Sequence, residues 1–222
     1  MPVIDMSTLR PVGEFGSRAW GNACAEASIR MLEAANLPDT INWAFTEDYT
    51  HPPARLMDGG RTHAGYTIMV QNGKVTAEDG IIPEALALPG FHVKLPWAYI
   101  ANQSGSLYGS EGQQQRAKDQ DVLMAAIVAY LGGRENPLGH PINSEGKASY
   151  MLDPVGPWPD EVRRAVSEDA EKGNGLHNIA ATLQTRSPEF DDLPVTAIGV
   201  PNFAAMTEQQ RVTFLGLCGV EI

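Results

Sequence analysis

The most constraining feature of this sequence is an Asn72-Gly73 pair that separates two runs of alternating residues. From Tyr66 to Val70 every second residue is large and apolar, and a second strand-like run follows the pair. Asn-Gly readily adopts the positive φ angles of a type I′ turn, whose twist matches that of two paired strands. The pattern therefore predicts a β-hairpin with strands over residues 64–70 and 74–78.

Two further segments repeat this period of two. Residues 41–46 alternate around Trp43, and residues 91–95 alternate around Val93 before Pro96 ends the run. Such alternation places one side of a strand on a core and the other side elsewhere. With the hairpin, these segments predict an antiparallel sheet of about four to six strands.

Helical periodicity surrounds the predicted sheet. Apolar residues recur at spacings of three and four over residues 17–36 and 113–131, and in shorter patterns beyond Pro159, around Leu176–Leu183 and after a capping box that starts at Thr207. These spacings are typical of amphipathic helices. The chain is thus expected to fold as one α+β domain over residues 1–222, with its sheet backed by helices and a helical C-terminal extension over residues 160–222.

A long segment without a long periodic pattern covers residues 134–159. Loops of this length inside a compact domain usually form lids, binding loops or interfaces. Tyr150, Met151, Leu152 and Trp158 give the segment apolar surface that must be buried somewhere. We expect either a lid over a pocket, or packing of these residues in the core or against a second copy in a homodimer.

The composition of the chain limits the kinds of partner that it is expected to bind and the cellular compartment in which it is expected. The net charge of −11 at pH 7 repels phosphate backbones, so nucleic acid is not expected as a partner. No run of apolar residues is long enough for a membrane span, and the N-terminal residues lack the pattern of a signal peptide. The two cysteines, Cys24 and Cys218, lie in apolar surroundings typical of buried free thiols, and a cytoplasmic location is expected.

The strand segments also resemble a known family. Trp43-Ala44-Phe45-Thr46, the hairpin Gly65-Tyr66-Thr67-Ile68-Met69-Val70-Gln71-Asn72-Gly73-Lys74-Val75, and Phe91-His92-Val93-Lys94-Leu95-Pro96-Trp97 resemble the sterol-carrier-protein-2-like family over about residues 19–131. The resemblance implies an antiparallel sheet backed by helices, an apolar tunnel that binds lipids or other small hydrophobic molecules, and no fixed catalytic set. The stretch Phe45-Thr46-Glu47-Asp48-Tyr49-Thr50-His51 resembles instead the cone-shaped sheet of the nuclear-transport-factor-2-like fold, which implies a host for cofactor-free isomerases and lyases.

The first functional hypothesis is the binding of a small hydrophobic molecule between sheet and helices. Large apolar side chains on the strands and just after them would line such a site, although packing in a solid core explains the same residues. No Gly-rich phosphate loop and no nucleophile elbow occurs in the sequence, so no cofactor is expected. The predicted lining residues are Trp43, Phe45, Tyr66, Ile68, Phe91, Val93, Trp97 and Tyr99.

The alternative is a cofactor-independent lyase, isomerase or hydratase that moves protons on an apolar substrate. Asp48, His51 and His63, with Tyr66, are the candidate catalytic residues, one histidine acting as the base and Asp48 orienting it. Glu47 belongs to the same charged stretch, for which a solvated loop is the simpler interpretation. The spacing of these groups is not typical of a metal site, and none is predicted.

Overall fold

The computed structural model describes residues 13–101, 110–132, 158–172 and 187–222. The helices are α1 (Arg18–Ala34), α2 (Trp97–Ile100), α3 (Ser110–Tyr130), α4 (Asp160–Lys172) and α5 (Glu208–Leu217), and the strands are β1 (Trp43–Thr50), β2 (Ala64–Gln71), β3 (Lys74–Asp79) and β4 (Gly90–Pro96). Short 3-10 turns lie between them at Ala54–Gly60, Pro83–Ala87, Pro188–Phe190 and Phe203–Ala205. This arrangement confirms the predicted α+β class.

The four strands form one sheet in the order β3-β2-β1-β4. The predicted hairpin is confirmed: β2 and β3 pair antiparallel across Asn72 and Gly73, whose φ angles are 51° and 72°. The expectation of a wholly antiparallel sheet is wrong, because β4 runs parallel to β1. The reason is the connection over residues 80–89, which crosses from β3 to the opposite edge of the sheet. Because the chain crosses the sheet there instead of turning back beside β3, β4 runs in the same direction as β3 and β1.

The sheet has two chemically different faces. The inner face carries aromatic and aliphatic side chains and the carboxylates of Glu47 and Asp79, whereas the outer face carries Ala44, Thr46 and Asp48. The crossover over residues 80–89 lies against the outer face, where the buried hydroxyl of Thr67 donates to the carbonyl oxygen of Gly80 at 2.8 Å. The inner-face residues are Trp43, Phe45, Glu47, Tyr49, Ala64, Tyr66, Ile68, Val70, Val75, Ala77, Asp79, Phe91, Val93 and Leu95.

Helix α1 covers the inner face over β2 and β3. Ser17 caps its first turn, accepting from the backbone N–H of Trp20 at 3.2 Å. Gly21 brings the helix so close to the sheet that a Cβ there would overlap the carboxylate of Asp79. That carboxylate is held by Arg61, whose side chain is 4% exposed. A buried ion pair therefore lies directly beneath the helix.

Helices α3, α4 and α5 follow the predicted spacings with one correction, whereas the short helix α2 was not predicted. The apolar spacing over residues 113–131 predicts one buried side that includes Val122, Leu123 and Ile127; in α3, Leu123 and Ile127 are buried, but Val122 is 62% exposed. The capping box before α5 is confirmed, with the Thr207 and Gln210 side chains each bonded to the other's backbone N–H. The predicted helical pattern around residues 176–183 and most of the predicted loop over residues 134–159 lie outside the described residues, which include only Trp158 and Pro159 of that loop.

No helix in the part of the chain that the structure describes is both long enough and apolar enough to cross a bilayer. The C-terminal residues pack back onto the domain instead. Phe190 lies against Trp97 of α2 with ring centroids 5.8 Å apart, and Phe203 lies against Tyr130 of α3 at 5.4 Å. The described part of the predicted helical extension is thus joined to the domain through aromatic contacts.

Candidate functional site

Six of the eight predicted lining residues share the inner face of the sheet. They are Trp43, Phe45, Tyr66, Ile68, Phe91 and Val93. All of them except Phe91 are buried, and Phe91 is partly exposed. Alternation along each strand and the register between strands together bring these side chains into one continuous layer.

Four aromatic rings on this face form what we call the aromatic cluster: Trp43, Phe45, Phe91 and Trp158. Phe45 and Phe91, on neighbouring parallel strands, stack with centroids 5.8 Å apart and planes inclined by 14°. Trp158 lies over the other three rings, with centroid distances of 4.8 Å to Trp43, 5.9 Å to Phe45 and 6.4 Å to Phe91. Trp158 and Phe91 both remain partly exposed, so the cluster is accessible from solvent.

A second group of rings on the inner face is closed. Phe15, Trp20, Tyr49 and Tyr66 pack with centroid distances from 4.7 to 6.1 Å, and all four side chains are buried. We call these residues the closed cluster. Phe45 connects the two groups, since its ring centroid lies 5.7 Å from that of Tyr66. The inner face thus contains one accessible aromatic region beside one that is completely packed.

The other two predicted lining residues lie in α2, beyond the sheet. The indole N–H of Trp97 donates to the carbonyl oxygen of Phe15 at 3.1 Å, and its ring contacts Phe190. Tyr99 is buried in the same short helix. Trp97 therefore ties the segment before α1 to the C-terminal segment.

Glu47 is an unusual residue for the inner face. The register sets it between Tyr66 of β2 and Val93 of β4, and its carboxylate accepts a hydrogen bond from the hydroxyl of Tyr49. Burial, with a smaller contribution from the Glu47 carboxylate, raises the pKa of Tyr49 and of Tyr66 well above the usual value. Both phenols therefore stay protonated at neutral pH, and that of Tyr49 donates to Glu47.

Burial and the same carboxylate also raise the pKa of the Cys24 thiol well above its usual value. Cys24 is therefore a protonated core side chain, not a nucleophile. Glu47 belongs to the charged stretch of the sequence and lies outside the predicted set of site residues. Its position two residues after Phe45 in an alternating strand was the signal that assigns it to the inner face.

Two buried donors on the inner face have no acceptor among the described residues. They are the indole N–H groups of Trp43 and Trp20. Buried tryptophans usually find a partner for this group, as Trp97 does. Trp43 belongs to the aromatic cluster and Trp20 to the closed cluster.

The predicted catalytic residues are divided between different parts of the domain. Asp48 and His63 meet on the outer face, with Asp48 Oδ1 3.0 Å from His63 Nδ1 and Asp48 Oδ2 3.9 Å from Lys94 Nζ. His63 is 43% exposed and Asp48 16%. Tyr66 lies on the inner face, so the sheet separates it from this pair.

His51 also stands apart from the Asp48–His63 pair. It has a φ of 54° at the end of β1, and its ring lies against Gly219 of the C-terminal segment. Its Nδ1 is 3.2 Å from the hydroxyl of Thr50. Residues 47–50, which the sequence suggested were loop, belong to β1, and this alternation sends Glu47 and Asp48 to opposite faces.

His92, a further histidine on the outer face, joins β4 to its surroundings. His92 Nδ1 lies 3.0 Å from the Thr46 hydroxyl, and His92 Nε2 lies 3.2 Å from the carbonyl oxygen of Leu88. One ring nitrogen of His92 thus contacts β1, and the other contacts the crossover. Within the described ranges, no group of three or more His, Cys, Asp or Glu side chains is arranged to hold a metal ion.

Comparison with protein-family models, with curated proteins and with solved structures finds no match for this chain. The functional proposals therefore rest on the geometry of the two faces.

Proposed function

We propose that this protein binds a small, flat hydrophobic molecule at the aromatic cluster on the inner face of the sheet. The observation that carries the proposal is the position of Trp158, whose ring contacts three rings of the sheet while remaining partly exposed. Ligand sites are mostly apolar and contain a few polar groups that orient the ligand. The inner face is likewise mostly apolar and contains a few polar groups.

Two further observations support a ligand site at the aromatic cluster. A flat ligand can stack on the Phe45 and Phe91 rings, which already lie nearly parallel. Stacked or edge-on aromatic contacts contribute about 0.5–1.5 kcal/mol each beyond the area that they bury. The resemblance to the sterol-carrier-protein-2-like family implies the same class of ligand, and it remains a prediction.

The fluorescent probe N-phenyl-1-naphthylamine, which is uncharged and apolar, tests the proposal. We expect saturable binding with energy transfer from the tryptophans, and Phe91→Ala is expected to weaken binding about tenfold, equivalent to about 1.4 kcal/mol. Leu86→Ala is the matched control, because Leu86 is an exposed apolar residue on the crossover over the outer face. Equal affinities of Phe91→Ala and the wild type would reject the aromatic cluster as the site.

Native mass spectrometry of freshly purified protein is an independent test. A retained apolar molecule would appear as a mass above that of the 23.9 kDa chain, and the same spectrum reports whether the protein forms the homodimer considered from the sequence. Loss of the extra mass in Phe91→Ala would support the proposed site, whereas a ligand retained equally by both proteins would assign it elsewhere.

A second candidate function rests on the Asp48–His63 pair. A carboxylate that holds one ring nitrogen of an imidazole at 3.0 Å fixes the ring and leaves the other nitrogen to accept a proton. This arrangement suits a cofactor-independent lyase, isomerase or hydratase. Its substrate would dock on the outer face.

Kemp elimination of 5-nitrobenzisoxazole, a general assay for proton abstraction from carbon, tests this candidate. The rate is expected to fall to the buffer rate in His63→Gln and to fall in Asp48→Asn. The control is Lys94→Gln, since Lys94 is 70% exposed and 3.9 Å from the Asp48 carboxylate. A rate in His63→Gln equal to the wild-type rate rules out His63 as the base.

A further inference from the structure

The indole N–H of Trp43 is a buried donor at the accessible end of the inner face. Trp43 is 1% exposed, and its Nε1 atom has no hydrogen-bond partner among the described residues. Burying a donor without an acceptor is unfavourable, so native proteins rarely do it without a reason. An acceptor supplied by a bound molecule is one such reason.

Trp20 provides a useful comparison, since its indole N–H is also buried without an acceptor. Its neighbours Phe15, Tyr49 and Tyr66 are all buried, so nothing can reach it without unpacking the closed cluster. Trp43 instead contacts Trp158, which is partly exposed. Of the two donors, Trp43 is therefore the one that a ligand can approach.

The charges on the inner face restrict what this ligand can be. The strand residues of that face include the acidic Glu47 and Asp79 but no Lys or Arg, and Arg61 is already bound to Asp79. A carboxylate or phosphate ligand would find no opposite charge on these strands. Arg163, whose Nη2 donates to the carbonyl oxygen of Trp158 at 3.0 Å, already lies 3.7 Å from the carboxylate of Asp160. The net charge of −11 adds a repulsive field against anions.

We infer that the molecule bound at the aromatic cluster is uncharged and presents an acceptor oxygen, of the ketone, ester or ether class, to the indole N–H of Trp43. The inference rests on the proposed function, because it describes the ligand of the same site. The aromatic rings bind the apolar body of the ligand. Trp43 fixes its orientation by donating to the oxygen.

Three naphthalene probes of similar shape test the inference by calorimetry or tryptophan quenching. They are 2-acetylnaphthalene, which carries a ketone, 2-isopropenylnaphthalene, in which a CH₂ group replaces the oxygen, and 2-naphthoate, which is an anion. The variant Trp43→Phe removes the N–H and part of the ring. The loss of ring affects the ketone and the hydrocarbon alike, so the difference between their losses isolates the hydrogen bond.

We expect Trp43→Phe to weaken binding of the ketone about three- to tenfold more than binding of the hydrocarbon, which is the usual worth of one neutral hydrogen bond. Trp20→Phe, the matched control in the closed cluster, should change both affinities equally. The wild-type protein should bind 2-naphthoate more weakly than the ketone. Equal losses for ketone and hydrocarbon in Trp43→Phe overturn the assignment of the donor, and tighter binding of 2-naphthoate overturns the assignment of an uncharged ligand.

A measurement on the wild-type chain keeps the test independent of the folding of any variant. With ¹⁵N-labelled tryptophan, the chain gives four indole signals, one for each tryptophan. The ketone should shift one of them downfield through hydrogen bonding, and the hydrocarbon should not. If neither probe binds to the wild type, both this inference and the proposed function are wrong, whereas binding of both with no such downfield shift overturns this inference alone.

Discussion

Replacing Arg61 by methionine tests how helix α1 is held over the inner face. The guanidinium binds both carboxylate oxygens of Asp79 and donates through Nη1 to the carbonyl oxygens of Gly16 and Leu56, each at 2.7 Å. The side chains of Arg61 and Asp79 are 4% and 10% exposed. Methionine retains an unbranched apolar chain but leaves a buried carboxylate and two carbonyl groups without their donor.

We expect Arg61→Met to lower the free energy of unfolding by about 3–5 kcal/mol, the usual result of removing one partner from a buried ion pair. The double variant Arg61→Met/Asp79→Asn should be less destabilised than Arg61→Met, because the uncompensated charge is then absent. Asparagine has nearly the same shape as aspartate, so it fits beneath Gly21 without a new clash.

The pH dependence provides a second signature of the same pair. Burial raises the pKa of Asp79 above its usual value although Arg61 lowers it, so the folded state binds a proton more tightly than the unfolded state does. Stability contributed by this carboxyl is therefore greatest at acidic pH and is lost as pH rises through its folded pKa. Without Arg61 that pKa rises further, and the penalty of Arg61→Met should be larger at pH 7 than at pH 4.

Urea unfolding followed by circular dichroism at the two pH values measures all of these quantities. The value for comparison is the contribution of an exposed ion pair to the free energy of unfolding, which is usually about 0–1 kcal/mol. If Arg61→Met costs less than about 1 kcal/mol, or if its penalty is the same at pH 4 and pH 7, the pair is hydrated and the argument from burial is refuted.

Three further predictions concern two glycines and one buried threonine. Gly90→Ala should destabilise the fold by about 1–3 kcal/mol in urea unfolding, because its Cβ would overlap the carbonyl oxygen of Ala44 and separate β4 from β1. Gly216 is a helical position at which an added Cβ would meet no atom within 4 Å. Gly216→Ala should therefore stabilise the fold by about 0.5–1 kcal/mol. Thr67→Val removes a buried hydroxyl that bonds the crossover backbone twice and should cost about 1–3 kcal/mol, whereas Thr76→Val on exposed β3 should change stability little.

The hairpin could be predicted because its determinants are local. Asn72 and Gly73 both take positive φ, a conformation that these two residue types adopt readily, and alternation assigns a face to each strand residue. The direction of β4 could not be predicted in this way. It depends on the crossover over residues 80–89, whose path is fixed by two hydrogen bonds to Thr67 on the earlier strand β2 and, at its end, by the contact of Leu88 with His92.

The same distinction applies to helices and to the site. The spacing in α3 is compatible with more than one buried side, and only packing decides that Met124 is buried while Val122 is exposed. Alternation was sufficient to assign Phe45 and Phe91 each to the apolar side of its own strand, and the register of β1 against β4 brings the two rings together. Alternation could not pair Asp48 with His63, which needs the register of β1 against β2, nor bring Trp158 onto the cluster from far along the chain.

The alternation of β1 also limits how the two candidate functions can be combined. Glu47 and Asp48 are neighbours in the chain but lie on opposite faces of the sheet. A general base must come within about 2.6–3.2 Å of the proton that it removes, or act through one water. His63, held by Asp48 on the outer face, therefore cannot act on a molecule stacked on Phe91 at the inner face.

It follows that the sequence-based hypothesis of acid–base chemistry on an apolar substrate requires two properties that this fold separates. The apolar surface lies on one side of the sheet and the Asp48–His63 pair on the other, among Thr46, Thr50 and Lys94. An enzyme that used His63 would have to recognise a polar molecule on the outer face. Substitutions at His63 should consequently leave probe binding at the aromatic cluster unchanged, and Phe91→Ala should leave any proton transfer by His63 unchanged.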